Sequence, residues 1–216
     1  MDDRLRYCVW ATSNPDKWRK IVWTDEKLLR LSHFGKKHVW ILPGYNEYAQ
    51  YVHKGSADKH TRQVWASMSF DTGISRLTWL HGRQNRWTYV DRLKEAFEQP
   101  PYINNVDNEQ YFMQDNCKYH TAKFCQDYLV SVGRRPIFWP ARSPDLNPIE
   151  YVWGFMERWL DTHRPSIHTE GQWERAIALA WEAATTKERL EGYMERCWIN
   201  MHRCLLQAGG NKYREA

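Results

Sequence analysis

The sequence predicts an α/β layer structure with a mixed central sheet flanked by helices and a long insertion between the first two strands. Three observations carry this. Short runs of β-branched and aromatic residues, bounded by turn signals, alternate along the chain with segments whose apolar residues recur at helical spacing. The tract 34–61 between the first two runs is too long for a simple connection. The 216 residues fit one domain of ordinary size, with no internal repeat or low-complexity tract.

The elements follow in order. KIVWTDEKLLRLS (20–32) reads as a strand with Asp25 and Glu26 near its end. The Gly-, His-, Lys- and Tyr-rich tract FGKKHVWILPGYNEYAQYVHKGSADKHT (34–61) is read as a functional insertion, placed at about 33–62. QVWASMSF (63–70) is a second strand, and RLTWL (76–80) returns after the turn signal DTG. Tyr89, Val90, Leu93 and Phe97 mark a helix over 88–99 that Pro100 and Pro101 stop. YFMQD (111–115) is a short buried strand, TAKFCQDYLVSVG (121–133) a helix closed by Gly133, and PIFWP (136–140) a brief strand between prolines. In NPIEYVWGFMERWL (147–160), Asn147 is the expected N-cap and Pro148 the first helical residue, which puts Glu150 in the first turn. Two amphipathic helices follow, one through Trp173, Ile177, Ala180, Trp181 and Ala184, the other through Leu190, Tyr193, Met194, Cys197, Met201 and Leu205.

Composition narrows the class. The net charge of +5 is compatible with a polyanionic partner, because clustered Lys and Arg displace counterions from phosphates. The five cysteines are odd in number and form no C-x-x-C pair, which reads as reduced intracellular thiols. No secretory leader and no apolar stretch of spanning length is visible, so no membrane partner is expected.

Asp25 and Asp115 each lie at or near a strand end, and Glu150 opens a helix that follows a third strand. Three converging carboxylates offer hard oxygen ligands suited to Mg²⁺ or Mn²⁺, with no Cys or His cluster expected to compete. Two such ions ~3.5–4 Å apart support in-line displacement at a phosphodiester. Each acid also has a structural reading. Asp25 fits a turn residue at a strand end, Asp115 a cap for the following helix, and Glu150 the third residue of a capping box with Asn147.

The words around these acids resemble the Tc/mariner superfamily of DDE transposases. VWTDE (22–26) is similar to the family's first-aspartate strand and FMQDNCKYHTAK (112–123) to its Q-D-N-x-x-x-H-T segment. WPARSPDLNPIEYVWGFMERWL (139–160) is similar to its W-P-x-x-S-P-D-L-N-P-I-E-x-x-W stretch, and the thirty-four residues 116–149 between the last two acids match one branch's spacing. VWILPG (39–44), VWASMS (64–69) and AGGNKY (208–213) extend the likeness over nearly the whole chain. Departures are Lys118 where proline is common, Ile41 and Leu42 in place of an arginine, and Ala66 where glycine is frequent.

The resemblance implies an RNase H-like fold with Asp25, Asp115 and Glu150 as catalytic ligands of two Mg²⁺ or Mn²⁺ ions, acting in DNA strand cleavage and strand transfer. It further implies DNA partners (transposon ends and target), a homodimer through the insertion, and a nuclear location. Residues 1–19 are expected to be the remnant of an interdomain linker, with the family's helix-turn-helix modules absent. Residues 20–165 would be the catalytic domain, and 166–216 helices packed on it. The rival function is an inactive or domesticated transposase-derived DNA-binding protein.

Supporting roles fall to Asn116, which holds a turn, to His120, which contacts DNA, the carboxylates or its own loop, and to Asp145 and Asn147, which fix the loop and helix start. Trp153 reads as core packing by its spacing from Ile149. Lys36, Lys37, Lys54, Lys59 and Arg62 in the insertion, Arg83 and Arg86 beyond it, and Lys118 are the candidate DNA contacts, each also readable as a solvated basic residue. His33, His38, His53 and His60 fit no compact zinc pattern.

Overall fold

Ile21, Val22 and Trp23 are wholly buried, because the strand that carries them, β1 (Ile21–Arg30), is covered on both faces. In the computed structural model, which describes residues 2–31, 61–100, 102, 110–163 and 167–211, β1 lies at the middle of the sheet. On one side it pairs antiparallel with β2 (Thr61–Ser69), from Val22 opposite Ser69 to Arg30 opposite Thr61. On the other it pairs parallel with β5 (Gln110–Met113), which in turn pairs parallel with β6 (Arg134–Pro136). The outer edge of β2 is shared by β3 (Gly73–Ile74) and β4 (Thr78–Leu80). The two are separated at Ser75, whose amide donates to Ser67 O at 2.9 Å while its hydroxyl accepts from Ser67 N at 3.0 Å. The sheet, six-stranded among the described residues, is therefore mixed, as expected, and runs in the order β3-β2-β1-β5-β6 with β4 beside β2.

Helices cover both faces. Asp3–Ser13 and Pro15–Arg19 form α1 and α2, Arg86–Phe97 α3, and Lys123–Ser131 α4. Ile149–His163, Glu170–Ala184 and Lys187–Leu206 form α5, α6 and α7. One core face joins Val22, Trp65 and Phe112 of the sheet to Tyr89, Leu93 and Leu129 of α3 and α4. The other joins Trp23, Met68 and Met113 to the remaining helices through Tyr7, Trp18, Trp153, Trp173 and Met201. Much of the tryptophan complement is thus packing between layers.

One expectation gains structure and one changes. Within the segment expected as a linker remnant, residues 3–13 and 15–19 form α1 and α2, whose buried faces join the core. Tyr7, Cys8 and Ala11 share a buried face, and Arg4 grips Asp145 through both terminal guanidinium nitrogens at 2.8 and 2.7 Å. The strand expected at 136–140 runs from Arg134 to Pro136 instead. Its last link to β5 is the Ile137 amide on Phe112 O at 3.0 Å, after which the chain leaves the sheet. The insertion lies outside the described residues from 32 to 60, and with it Lys36, Lys37, Lys54, Lys59 and its four histidines.

Candidate active site

The register of the parallel pair brings the two aspartates together. Ile21 faces Tyr111, Val22 faces Phe112 and Trp23 faces Met113. Continued for two residues, the same alternation sets Asp25 against Asp115. The ladder closes at Thr24, whose hydroxyl donates to Met113 O at 2.8 Å, and beyond it the chain opens into the 114–121 loop. On its antiparallel side Asp25 stands opposite Ala66, in mid-strand, so the reading of Asp25 as a turn residue does not hold.

Glu150 arrives from the opposite direction. A 3₁₀ turn at Pro144–Leu146 and the side chain of Asn147, which accepts from Ile149 N at 3.4 Å, start α5 where the sequence places it. One turn beyond Glu150, the buried Trp153 donates its indole N–H to Asp25 Oδ2 at 3.0 Å. Residues three apart share a helix face, so this bond also turns Glu150 toward Asp25. A capping box is not what Glu150 makes, because the Asn147 amide that it would reach donates to Pro144 O at 3.0 Å. Nor does Asp115 cap α4, whose N-cap is Ala122; Asp115 instead accepts from Cys117 N at 2.9 Å.

The electrostatics fit three acids sharing one site. Burial, then the charge of Glu150 and more weakly that of Asp115, pushes Asp25 up to about 7, against the opposing pull of its hydrogen bonds with the Glu26 amide and Trp153. Burial also raises Glu150, with Lys27 pulling the other way. Burial would raise Asp115 too, but hydrogen bonding to His120 and that residue's charge carry it below its ordinary value. Among the described residues no Lys or Arg forms an ion pair with Asp25 or Glu150, and Lys27 offsets the charge of Glu150 only in part, since burial still raises that acid. Oxygen donors crowded in this way suit a hard divalent ion.

A further polar group stands on the other face of β1. Glu26 accepts from Tyr119 Oη at 2.6 Å and from Gln63 Nε2 at 3.3 Å. The buried His120 sets its Nδ1 2.5 Å from Asp115 Oδ1 and its Nε2 3.6 Å from Glu26 Oε1. Burial opposes charge on the imidazole, yet these two carboxylates raise its pKa overall.

This arrangement, two aspartates on neighbouring strands and a glutamate on a following helix, lies inside residues 20–171, which match the model of a family described as "DDE superfamily endonuclease". The chain belongs to the DDE superfamily endonucleases.

Relatives within this DDE family agree. The Tcb1 transposase of Caenorhabditis briggsae is 29% identical over 209 residues, covering 91% of this chain and 74% of its own length. The Tc3 transposase of Caenorhabditis elegans is 25% identical over 185 residues, and the match spans 84% of this chain but 55% of that protein. Among solved structures, the catalytic domain of Mos1 mariner transposase superposes with a TM-score of 0.71 at 20% identity, covering 100% of this chain and 95% of that one. The Mos1 strand transfer complex gives 0.76 at 20% identity, covering 100% and 62%. The fold of this DDE endonuclease chain is RNase H-like.

The remaining candidates divide by what they touch. Asn116 donates to Trp139 O at 3.0 Å and ties the Asp115 loop to the segment leading into α5. Asp145 is held by Arg4 and by Asn200, which donates to its carbonyl at 3.1 Å, so it fixes the loop. Arg62 pairs with Glu170 at 3.4 Å and with Glu174 at 2.9 Å, both on α6. Arg83, Arg86 and Lys118 are exposed, with Arg86 lying over the Trp87 ring. Sequence reasoning missed Glu26, Tyr119 and the donor role of Trp153. The acidic pair at 25–26 and the E-x-x-W spacing were the available signals.

Proposed function

We propose that this chain is the catalytic unit of a cut-and-paste DNA transposase that cleaves DNA and transfers the strand, with Asp25, Asp115 and Glu150 as its metal ligands. The observation that supports the reading is the parallel register of β1 and β5, which carried two residues past Trp23 and Met113 matches Asp25 to Asp115, together with the bond from Trp153, one turn from Glu150, to Asp25. The curated relatives are named transposases, and solved neighbours are described as a strand transfer complex and as catalytic domains with Mn or Mg.

The cluster of carboxylate oxygens fits such ions. When bound, a pair of Mg²⁺ or Mn²⁺ ions supplies Lewis acidity and an activated water or 3′-hydroxyl for in-line displacement at a phosphodiester. The chain's own residues fix the donors. The indole of Trp153 holds one oxygen of Asp25, while the Cys117 amide and His120 hold one oxygen of Asp115 and leave its second oxygen unengaged. Transposon ends and target DNA are the proposed substrates, a homodimer through the insertion the proposed assembly, and the nucleus the proposed location. Exposed Arg83, Arg86 and Lys118 are the proposed backbone contacts on the described surface.

Plasmid nicking with Mg²⁺ or Mn²⁺ tests this. Asp115→Asn, nearly isosteric, is expected to fold like the parent and to lose more activity than the ~10–100-fold that removal of an outer metal partner costs. Cleavage by Asp115→Asn at the parental rate would overturn the assignment.

A further inference from the structure

The loop that carries Asp115 holds a second set of donors. A carboxylate oxygen of Asp115, the Sγ of Cys117 and a ring nitrogen of His120 all lie within 4.8 Å of one another. The sequence gives no hint of this trio as a zinc pattern, because D-x-C-x-x-H matches no compact zinc motif; the folded loop assembles it. Hard ions such as Mg²⁺ have little affinity for a thiolate or an imidazole, whereas Zn²⁺ takes sulfur, nitrogen and carboxylate oxygen together.

An independent feature points the same way. His120 is 95% buried, and its Nε2 has no hydrogen-bond partner within range, standing 3.6 Å from Glu26 Oε1. A metal-ligating histidine almost always donates its other ring N–H to a carboxylate, which fixes the ring and its tautomer. Here ligation through Nδ1 places the ring proton on Nε2, facing Glu26, while Tyr119 and Gln63 hold Glu26 in place. Tetrahedral Zn²⁺ with bonds of ~2.0–2.3 Å needs donors roughly 3.3–3.8 Å apart, so His120 Nδ1 and Asp115 Oδ1, now 2.5 Å apart, must part by about 1 Å, while Cys117 Sγ already lies within 4.8 Å of both.

We propose that Asp115, Cys117 and His120, backed by Glu26, form a binding site for a borderline-soft divalent ion, foremost Zn²⁺, that overlaps the hard-metal site through Asp115. With three protein donors a fourth position stays open to water. Zinc bound there withdraws Asp115 from the triad and inhibits strand cleavage. The binding claim stands on the trio alone, and only the inhibition rests on the proposed role of Asp115 in catalysis.

Co²⁺ titrated into the metal-stripped full chain is the probe, because thiolate ligation gives a charge-transfer band in the near ultraviolet. The band is expected in the parent, displaced by one equivalent of Zn²⁺ and absent from Cys117→Ser at an unchanged thermal midpoint. The other four cysteines are buried and should not contribute. Glu26→Gln should keep the band but weaken Zn²⁺ binding ~10-fold. No band in the parent, or a band that survives Cys117→Ser, overturns the site. Zn²⁺ titrated into a Mg²⁺-supported nicking reaction should inhibit in step with the loss of the cobalt band. Nicking that persists with the site filled overturns the overlap. A band in a chain that never nicks DNA instead sinks the transposase reading and leaves the zinc site standing.

Discussion

Asp25 is the residue on which the site's charge weighs most. Its folded value near 7 stands above the ordinary 3.8, so the folded state favours the protonated acid. The stability this contributes is fully present below about pH 3.8 and is lost as pH rises through about 7, where the carboxylate ionises beside Glu150. In the metal-free protein, Asp25→Asn is therefore expected to raise stability at about pH 8, on the order of 2 kcal/mol, and to change it little near pH 4. Divalent ions should narrow the difference by offsetting the same charge. Thermal melts of parent and variant at the two pH values check this, and equal midpoints at pH 8 would show that the carboxylate is not crowded. The motif words make Asp25, Asp115 and Glu150 legible in the linear sequence. Glu26 is not legible there, because its partner Tyr119 lies 93 residues away and only the folded loop brings them together.

At the scale of elements, caps and stops read well and polar atoms read poorly. Asn147 before Pro148, Gly133 after α4 and the prolines after α3 each mark a boundary through a local backbone preference, which a linear sequence carries. Trp153 shows the limit. Helical spacing identifies its buried face, but nothing in the spacing says that its indole N–H reaches across to a strand. The helices α1 and α2 were missed because their pattern is short, and their amphipathic face has meaning only against the core that it covers. The end of α7 offers a test. Its closing bond runs from Gly209 N to Cys204 O at 2.9 Å, and Ala208 is held at φ +49°, in the left-handed region. Ala208→Gly is expected to stabilise the chain by about 0.5–1 kcal/mol, read as a raised denaturant midpoint at constant slope. Gly209→Ala should do the reverse, since its Cβ would lie 2.9 Å from Asp2 Cγ.

Across the whole molecule, the site exists because three distant segments meet. The parallel crossover between β1 and β5 sets the aspartates side by side, and the two-nitrogen grip of Arg4 on Asp145 fastens α1 to the loop that launches α5. The sequence predicted the mixed sheet, but not that the first helix would secure the third acid's approach. Glu150 is thus the acid whose role depends most on the global fold, and the one with the strongest competing local reading. Plasmid cleavage by Glu150→Gln, with Mg²⁺ and with Mn²⁺, separates the two. The Asn147 amide is already bonded to Pro144 and the buried charge beside Asp25 is removed, so the variant should melt no lower than the parent and cleave with neither ion. A Glu150→Gln chain that nicks DNA at the parental rate would contradict the three-carboxylate centre.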